Sequence, residues 1–308
     1  MSTAFIFPGQ GSQAIGMLKP LSEQYANVID TFSEASEVLG YDLWQLCQEG
    51  PTDQLSQTEF TQPALLTAGV AVWRIWQAQG GVTPDVMAGH SLGEYTALTC
   101  ANSIAFSDAV TLVQDRGRYM QSAVPAGKGA MAAIIGLDDE AVIKTCEEAA
   151  ENGVIQAVNF NAPGQVVIAG EKTAIDASVG LFKAAGAKRA LPLPVSIPAH
   201  SKLMTPAAER LRERIARIDL KLPSIPVIHN CNVATATSSD QVRDYLVAQL
   251  DSPVLWVKSV EKMMNEFNVS KVIESGPGKV LSGMIKRINK TIETGAIDNP
   301  DALTAEIS

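Results

Sequence analysis

Histidine is scarce in this 308-residue chain: there are three, His90, His200 and His229. Any chemistry that needs an imidazole base must use one of those positions. Cysteine is nearly as sparse, with Cys47, Cys100, Cys146 and Cys231 and no CxxC pair among them. That spacing excludes a redox dithiol motif and the usual metal clusters, and it suits reduced thiols of a cytosolic protein. Basic residues are outnumbered, 24 Lys and Arg against 33 Asp and Glu, so the net charge of −9 argues against a nucleic-acid surface. No apolar run approaches the ~18 residues of a membrane helix. The opening "MSTAFIFPGQG" lacks the charged start and long apolar stretch of a signal peptide. A cytoplasmic globular protein with no nucleic-acid or membrane partner is expected. With 46% hydrophobic and 19% charged residues, the chain can bury a large core in one or two domains.

What is present is an alternation of short apolar strands and amphipathic helices. "TAFIF" reads as a strand running into "PGQGSQ", residues 22 to 39 as a helix, and "TQPALLTAGVAVWRIWQAQGG" as another with Thr61 as its N-cap. "DVMAG" is a strand, "HSLG" a turn and "EYTALTCA" a helix, followed by the helix "SDAVTLVQDRGRYMQSA" and the small-residue linker "VPAGKG". Beyond it the order becomes β-α-β-β-α-β over residues 124–196, the split-βαβ or ferredoxin-like pattern, as if inserted in a larger unit made of 1–123 and 197–308. Alternation then resumes through the strands "IPVIHN" and "SKVIES" and the helix "GKVLSGMIKRIN". Strands alternating with helices predict an α/β class protein with a mostly parallel sheet.

"GHSLG" fits G-x-S-x-G and has the context that motif needs, an apolar strand before it and a helix after it. Gly89 and Gly93 would let the backbone turn sharply and lift the Ser91 hydroxyl clear. The N–H of Leu92 would point at whatever Ser91 attacks. A serine hydroxyl needs a base. His90 adjoins Ser91 and should point elsewhere, which leaves His200, at a loop–helix junction, and His229, at the end of a strand-like run. In "FIFPGQGSQAIG" the glycines loosely resemble a dinucleotide fingerprint, but no second strand with an acidic end follows. A better use of that turn is to carry the Gln10 amide toward a developing oxyanion. In "SDAVTLVQDRGRYMQSA", Ala109, Val113, Arg116 and Met120 share the buried stripe, while Thr111, Gln114, Asp115, Arg118 and Ser122 fall on the polar side. A buried guanidinium needs an anion, either an internal carboxylate or one on a substrate.

Taken together, "FPGQGSQ", "TQPAL", "GHSLGEY", "RGRYMQ", "GAMAAIIGL", "NFNAPGQVVIAG" and "ESGPGKVLSG" resemble, in order and spacing from end to end, the malonyl-CoA:acyl carrier protein transacylases of bacterial fatty acid synthesis. The resemblance implies an α/β-hydrolase-like large subdomain with an inserted ferredoxin-like small subdomain. It also implies that Ser91 is acylated, that His200 is its base, and that Gln10 joins the Leu92 N–H as the oxyanion hole. Arg116 would hold the malonyl carboxylate, and a backbone carbonyl near Gln249 would orient the histidine. Ile197, Pro198 and Ala199, before the base, match neither the malonyl nor the methylmalonyl pattern of synthase modules, which leaves acyl choice to Arg116. With no attached ketosynthase or carrier domain, a discrete enzyme is expected, a monomer whose partners are malonyl-CoA and holo acyl carrier protein.

The implied reaction is a ping-pong acyl transfer through malonyl-Ser91, with no metal or other cofactor, since malonyl-CoA is a substrate. Two alternatives stand beside it. A serine hydrolase would use the same turn but normally needs an acid and a late histidine after the serine, and no histidine follows His229. A non-catalytic acyl-binding module would have no use for the serine turn, the oxyanion donor and the histidine together.

Overall fold

The computed structural model describes residues 2–307. Nine strands are formed among them: β1 (Ser2–Phe7), β2 (Val86–Gly89), β3 (Gly129–Ile135), β4 (Ile155–Ala162), β5 (Gln165–Glu171), β6 (Arg189–Pro192), β7 (Val227–Ile228), β8 (Val269–Ser275) and β9 (Glu293–Ile297). They build two sheets, one of order β7-β2-β1-β8-β9 and one of order β4-β5-β3-β6. Every pairing in the first is parallel and every pairing in the second antiparallel. The protein is a mixed α/β fold.

The period-2 alternation of β1 sets the layers of the parallel sheet. Phe5 and Phe7 enter one apolar cluster with Trp73, Trp76, Leu92 and Val113, while Ala4 and Ile6 enter another with Trp256, Val260, Leu281 and Ile285. Both faces are therefore covered by helices. Phe5 meets Trp73 and Trp76 edge-on, at ring separations of 5.2 and 5.0 Å. The antiparallel sheet is covered on one face by the helices Asp139–Ala149 and Lys172–Ala184, which bury Val142 and Phe182 against Ile134, Val166 and Ile168. Its other face, with Met131, Ala133 and Val158, packs toward Val195 and Ala199. Two backbone hydrogen bonds tie the regions together: Val254 N–H donates to Val158 O at 2.8 Å, and Phe160 N–H to Val254 O at 3.0 Å.

Several element boundaries differ from the sequence expectation. The expected helix over 22–39 is two helices, Lys19–Ser22 and Asn27–Leu39. The next long helix runs Thr58–Ala78, so Thr61 is not its cap. The Thr61 hydroxyl instead donates to Leu55 O (2.5 Å) and Gln57 O (3.0 Å), and Pro63 lies inside the helix, where it removes one bond near the first turn. β9 and the helix Pro300–Ile307 carried no clear sequence signal. No helix among the described residues is long and apolar enough to cross a membrane.

Candidate active site

β1 and β2 run parallel, with Phe7 opposite Gly89, so the loops leaving their carboxyl ends share one crevice. Ser91 caps the helix Leu92–Cys100 with φ 51° and ψ −104°, a strained conformation for a residue with a side chain. The glycines around it are required by contact. A Cβ on Gly89 would lie 1.9 Å from the Gly93 carbonyl carbon, and one on Gly93 2.0 Å from Phe7 O. Asn230 holds the turn from the far side: its Oδ1 accepts the Ser91 N–H at 2.7 Å and its Nδ2 donates to Gly89 O at 2.7 Å.

His200, 3% exposed, comes to the same crevice from the loop before the helix Thr205–Ile215. It also has positive φ, 65°, and its N–H donates to Leu250 O at 3.0 Å. One ring nitrogen, Nδ1, donates to the Gln249 carbonyl at 2.7 Å; the other, Nε2, lies 2.8 Å from Ser91 Oγ. A carbonyl can only accept, so Nδ1 carries the proton and the Nε2 lone pair faces the serine. Burial, with the Arg116 charge second, pulls the His200 pKa down from 6.5 to about 3. The ring is therefore neutral near pH 7.

Arg116 is 1% exposed and its guanidinium meets no carboxylate among the described residues. Its donors go to neutral oxygens: Gln62 Oε1 (2.9 Å), Gln249 Oε1 (3.0 Å) and Ser91 Oγ (3.1 Å). Its Nε has no hydrogen-bond partner among the described residues, and the ring of Tyr95 lies 5.1 Å from the guanidinium carbon. Burial lowers its pKa. Gly117 makes the placement possible, since a Cβ there would come within 2.7 Å of Glu59 Cα on the neighbouring helix. Arg118 points outward to Glu59 at 3.0 Å. Gln114, expected on the polar side, is buried on the helix Phe106–Ala123, with Tyr41 beside it.

These groups open on a cavity of about 310 Å³, lined in part by Gln10, Ser91, Leu92, Arg116 and His200 and, from the antiparallel sheet, Met131. Leu92 opens its helix, where the first N–H groups lack intrahelical acceptors. Gln10 is exposed at the rim, its Nε2 3.4 Å from the Thr58 hydroxyl. Cys100 is buried on the helix after Ser91, and burial raises its pKa.

His229 lies outside the cavity, wholly buried, with Nδ1 2.7 Å from Glu94 Oε1. Glu94, Asn230, Gln62 and the side chain of Gln249 form a buried polar layer under the cavity that the sequence reading assigned no role. Its only sequence trace is polar residues inside otherwise apolar helix faces, as at Gln62 and Glu94.

The acyl transferase domain family model matches residues 4–296. The malonyl CoA-acyl carrier protein transacylase of Escherichia coli (strain K12) is 56% identical over 304 residues, 99% of this chain and 98% of that one. The crystal structure of an acyl carrier protein S-malonyltransferase from Vibrio cholerae O1 biovar eltor superposes with a TM-score of 0.97 at 56% identity, covering 99% of each chain. A malonyl-transacylase solved in complex with its holo type II PKS acyl-carrier protein superposes at 0.98 with 50% identity, over 100% of this chain and 99% of that one.

Proposed function

Since the chain belongs to the acyl transferase family, among its malonyl CoA-acyl carrier protein transacylases, we infer that it moves a malonyl group from coenzyme A to the thiol of acyl carrier protein. The observation that carries the mechanism is the Ser91 hydroxyl between His200 Nε2 at 2.8 Å and Arg116 at 3.1 Å. The hydroxyl donates to the imidazole lone pair and accepts from the guanidinium.

In the first half-reaction Ser91 Oγ attacks the thioester carbon while its proton passes to His200 Nε2. The Gln249 carbonyl, holding Nδ1–H, keeps the ring in the accepting tautomer. The oxyanion takes the Leu92 N–H and the Gln10 amide, each donor contributing about 10²–10³ in rate. Gln10 is held here only by a 3.4 Å contact to Thr58, which leaves it free to turn inward. The collapsing adduct expels CoA, which leaves with the proton from His200. In the second half-reaction His200 takes the proton of the carrier's phosphopantetheine thiol, which attacks malonyl-Ser91 and regenerates the serine. Arg116 holds the malonyl carboxylate, helped by the absence of a carboxylate in contact with it among the described residues. This chemistry needs no metal or other cofactor.

The parallel sheet, with the serine turn at its crevice, supports the α/β-hydrolase-like description. The β4-β5-β3-β6 order, with a helix after β3 and another after β5, supports the ferredoxin-like insert over 124–196. One chain supplies every group of the site, which favours a monomer, and four free thiols suit a cytoplasmic setting. An acidic carrier would meet a basic patch, at exposed Lys279, Lys286, Arg287 and Lys290 or at exposed Lys188 and Arg189.

The test is a two-stage experiment. Mixing enzyme with malonyl-CoA in the absence of carrier should release one free CoA thiol per chain, and the isolated acyl-enzyme should then malonylate holo carrier. Continuous CoA release without carrier would support a hydrolase instead. No release at all would support a binding module.

A further inference from the structure

The proposed mechanism leaves one charged side chain unused beneath the site. Glu94 is wholly buried on the helix that starts at Leu92, and both its carboxylate oxygens are hydrogen-bonded. Oε1 accepts from His229 Nδ1 at 2.7 Å, and Oε2 accepts from the Asn230 N–H and from Gln249 Nε2, both at 2.8 Å. As a carboxylate it can only accept.

That one-way chemistry fixes the Gln249 amide. Its NH₂ is held among three acceptors, Glu94 Oε2 at 2.8 Å, Ser91 O at 3.0 Å and, at 3.4 Å, Asn230 Oδ1. Its oxygen must then face the other way, where it takes an N–H of Arg116 at 3.0 Å. Reversing the amide would set NH₂ against the guanidinium and oxygen against the carboxylate. Glu94 thus sits one amide away from Arg116. It balances the cation through a polarised chain, yet it does not occupy the donors a substrate carboxylate would need. His229 and Asn230 anchor the carboxylate where it stands, and the edge of Tyr245 packs on His229 at a ring separation of 4.9 Å.

We propose that Glu94 is a positioning residue for acyl selection: held by His229 and Asn230, it orients the Gln249 amide and through it aims Arg116 at the carboxylate of the acyl donor. The proposal rests on the reading of Arg116 as the malonyl-binding residue. It assigns Glu94 no contact with substrate and no proton transfer.

The test is the rate of Ser91 acylation by malonyl-CoA and by acetyl-CoA, read by quenched-flow intact-protein mass spectrometry, for the parent and for Glu94→Gln. The replacement keeps the shape but removes the charge and an acceptor-only partner, so the Gln249 amide is held only by Ser91 O, Asn230 Oδ1 and Arg116 and loses its strongest anchor. Hydrogen-bond partners that orient metal ligands change affinity or activity by about 10- to 100-fold, and the lower end of that range is the effect expected here. The malonyl-to-acetyl rate ratio should fall by at least about 10-fold, with acetyl changed by less than about threefold. In an Arg116→Ala background the same substitution should leave the ratio where Arg116→Ala alone puts it. Should Glu94→Gln not fold, His229→Gln, which keeps an N–H for the carboxylate but loosens it, should lower the ratio in the same direction by about three- to tenfold. An unchanged ratio, or equal loss for both donors with a lowered Tm, overturns the proposal and leaves Glu94 a purely structural residue. A parent that forms no malonyl adduct on Ser91 overturns the underlying function as well, so the two failures are distinguishable.

Discussion

His200 and His229 are both buried, and both commit Nδ1 to an oxygen at 2.7 Å, yet they stand in opposite chemical situations. His229 has the carboxylate partner that a serine–histidine–acid triad would call for, but its Nε2 is buried with no hydrogen-bond partner among the described residues. His200 has only a backbone carbonyl behind it, but its Nε2 faces a serine hydroxyl at 2.8 Å on the wall of the cavity. In the proposed mechanism, access to the Ser91 hydroxyl with a free lone pair separates the base from a packed ring, and a carbonyl is enough to set the tautomer. The carboxylate is placed where it does different work, on the amide beside Arg116.

The largest effect that bears on this contrast is at the serine both regions surround. Ser91→Ala should abolish the malonyl adduct and carrier malonylation altogether, because the nearest thiol, Cys100, is buried and held protonated. A stable adduct on Ser91→Ala, located by peptide mapping, would move the chemistry away from the His200 side of the comparison.

Arg116 comes next. Losing a buried, hydrogen-bonded charge partner costs about 2–5 kcal/mol, or roughly 30- to 5000-fold in malonyl kcat/KM, with little effect on acetyl-CoA. The same variant sharpens the account of His200. Its pKa is held down to about 3 by burial first and the Arg116 cation second. Removing a positive neighbour favours protonation, so the pKa must rise, toward but not to 6.5. The acid limb of kcat/KM for Ser91 acetylation should therefore move to higher pH in Arg116→Ala. A limb that stays put, or moves to lower pH, would mean that the arginine does not act on this ring.

Much of this was legible because the chemistry left local marks. The serine turn shows as two glycines between an apolar strand and a helix, and Arg116 as a charge breaking the stripe Ala109, Val113, Met120. Those marks depend on residues within one or two turns of each other. From the residues alone the loop–helix junction favoured His200 over His229 without settling the choice, since their difference lies in contacts with Ser91 and Glu94, 109 and 135 positions away. Asn230 and the Gln249 side chain were invisible for the same reason. β9 was missed because it is held by parallel pairing to β8 more than by its own pattern, with Glu293 exposed and only Ala296 and Ile297 as buried apolar residues. The early start of the helix at Thr58 hid behind Pro63, which reads as a first-turn residue and sits deeper.

The central claim is that Ser91 is activated by His200 and not by the histidine that has the carboxylate. Its most direct test is the time course of Ser91 malonylation, followed by intact-protein mass spectrometry, in His200→Gln and His229→Gln beside the parent. General-base assistance is worth about 10²–10⁴, so His200→Gln should slow the adduct by at least about 100-fold, whereas His229→Gln should stay within about tenfold of the parent. Equal slowing in the two variants, or a slower His229→Gln, would contradict the account.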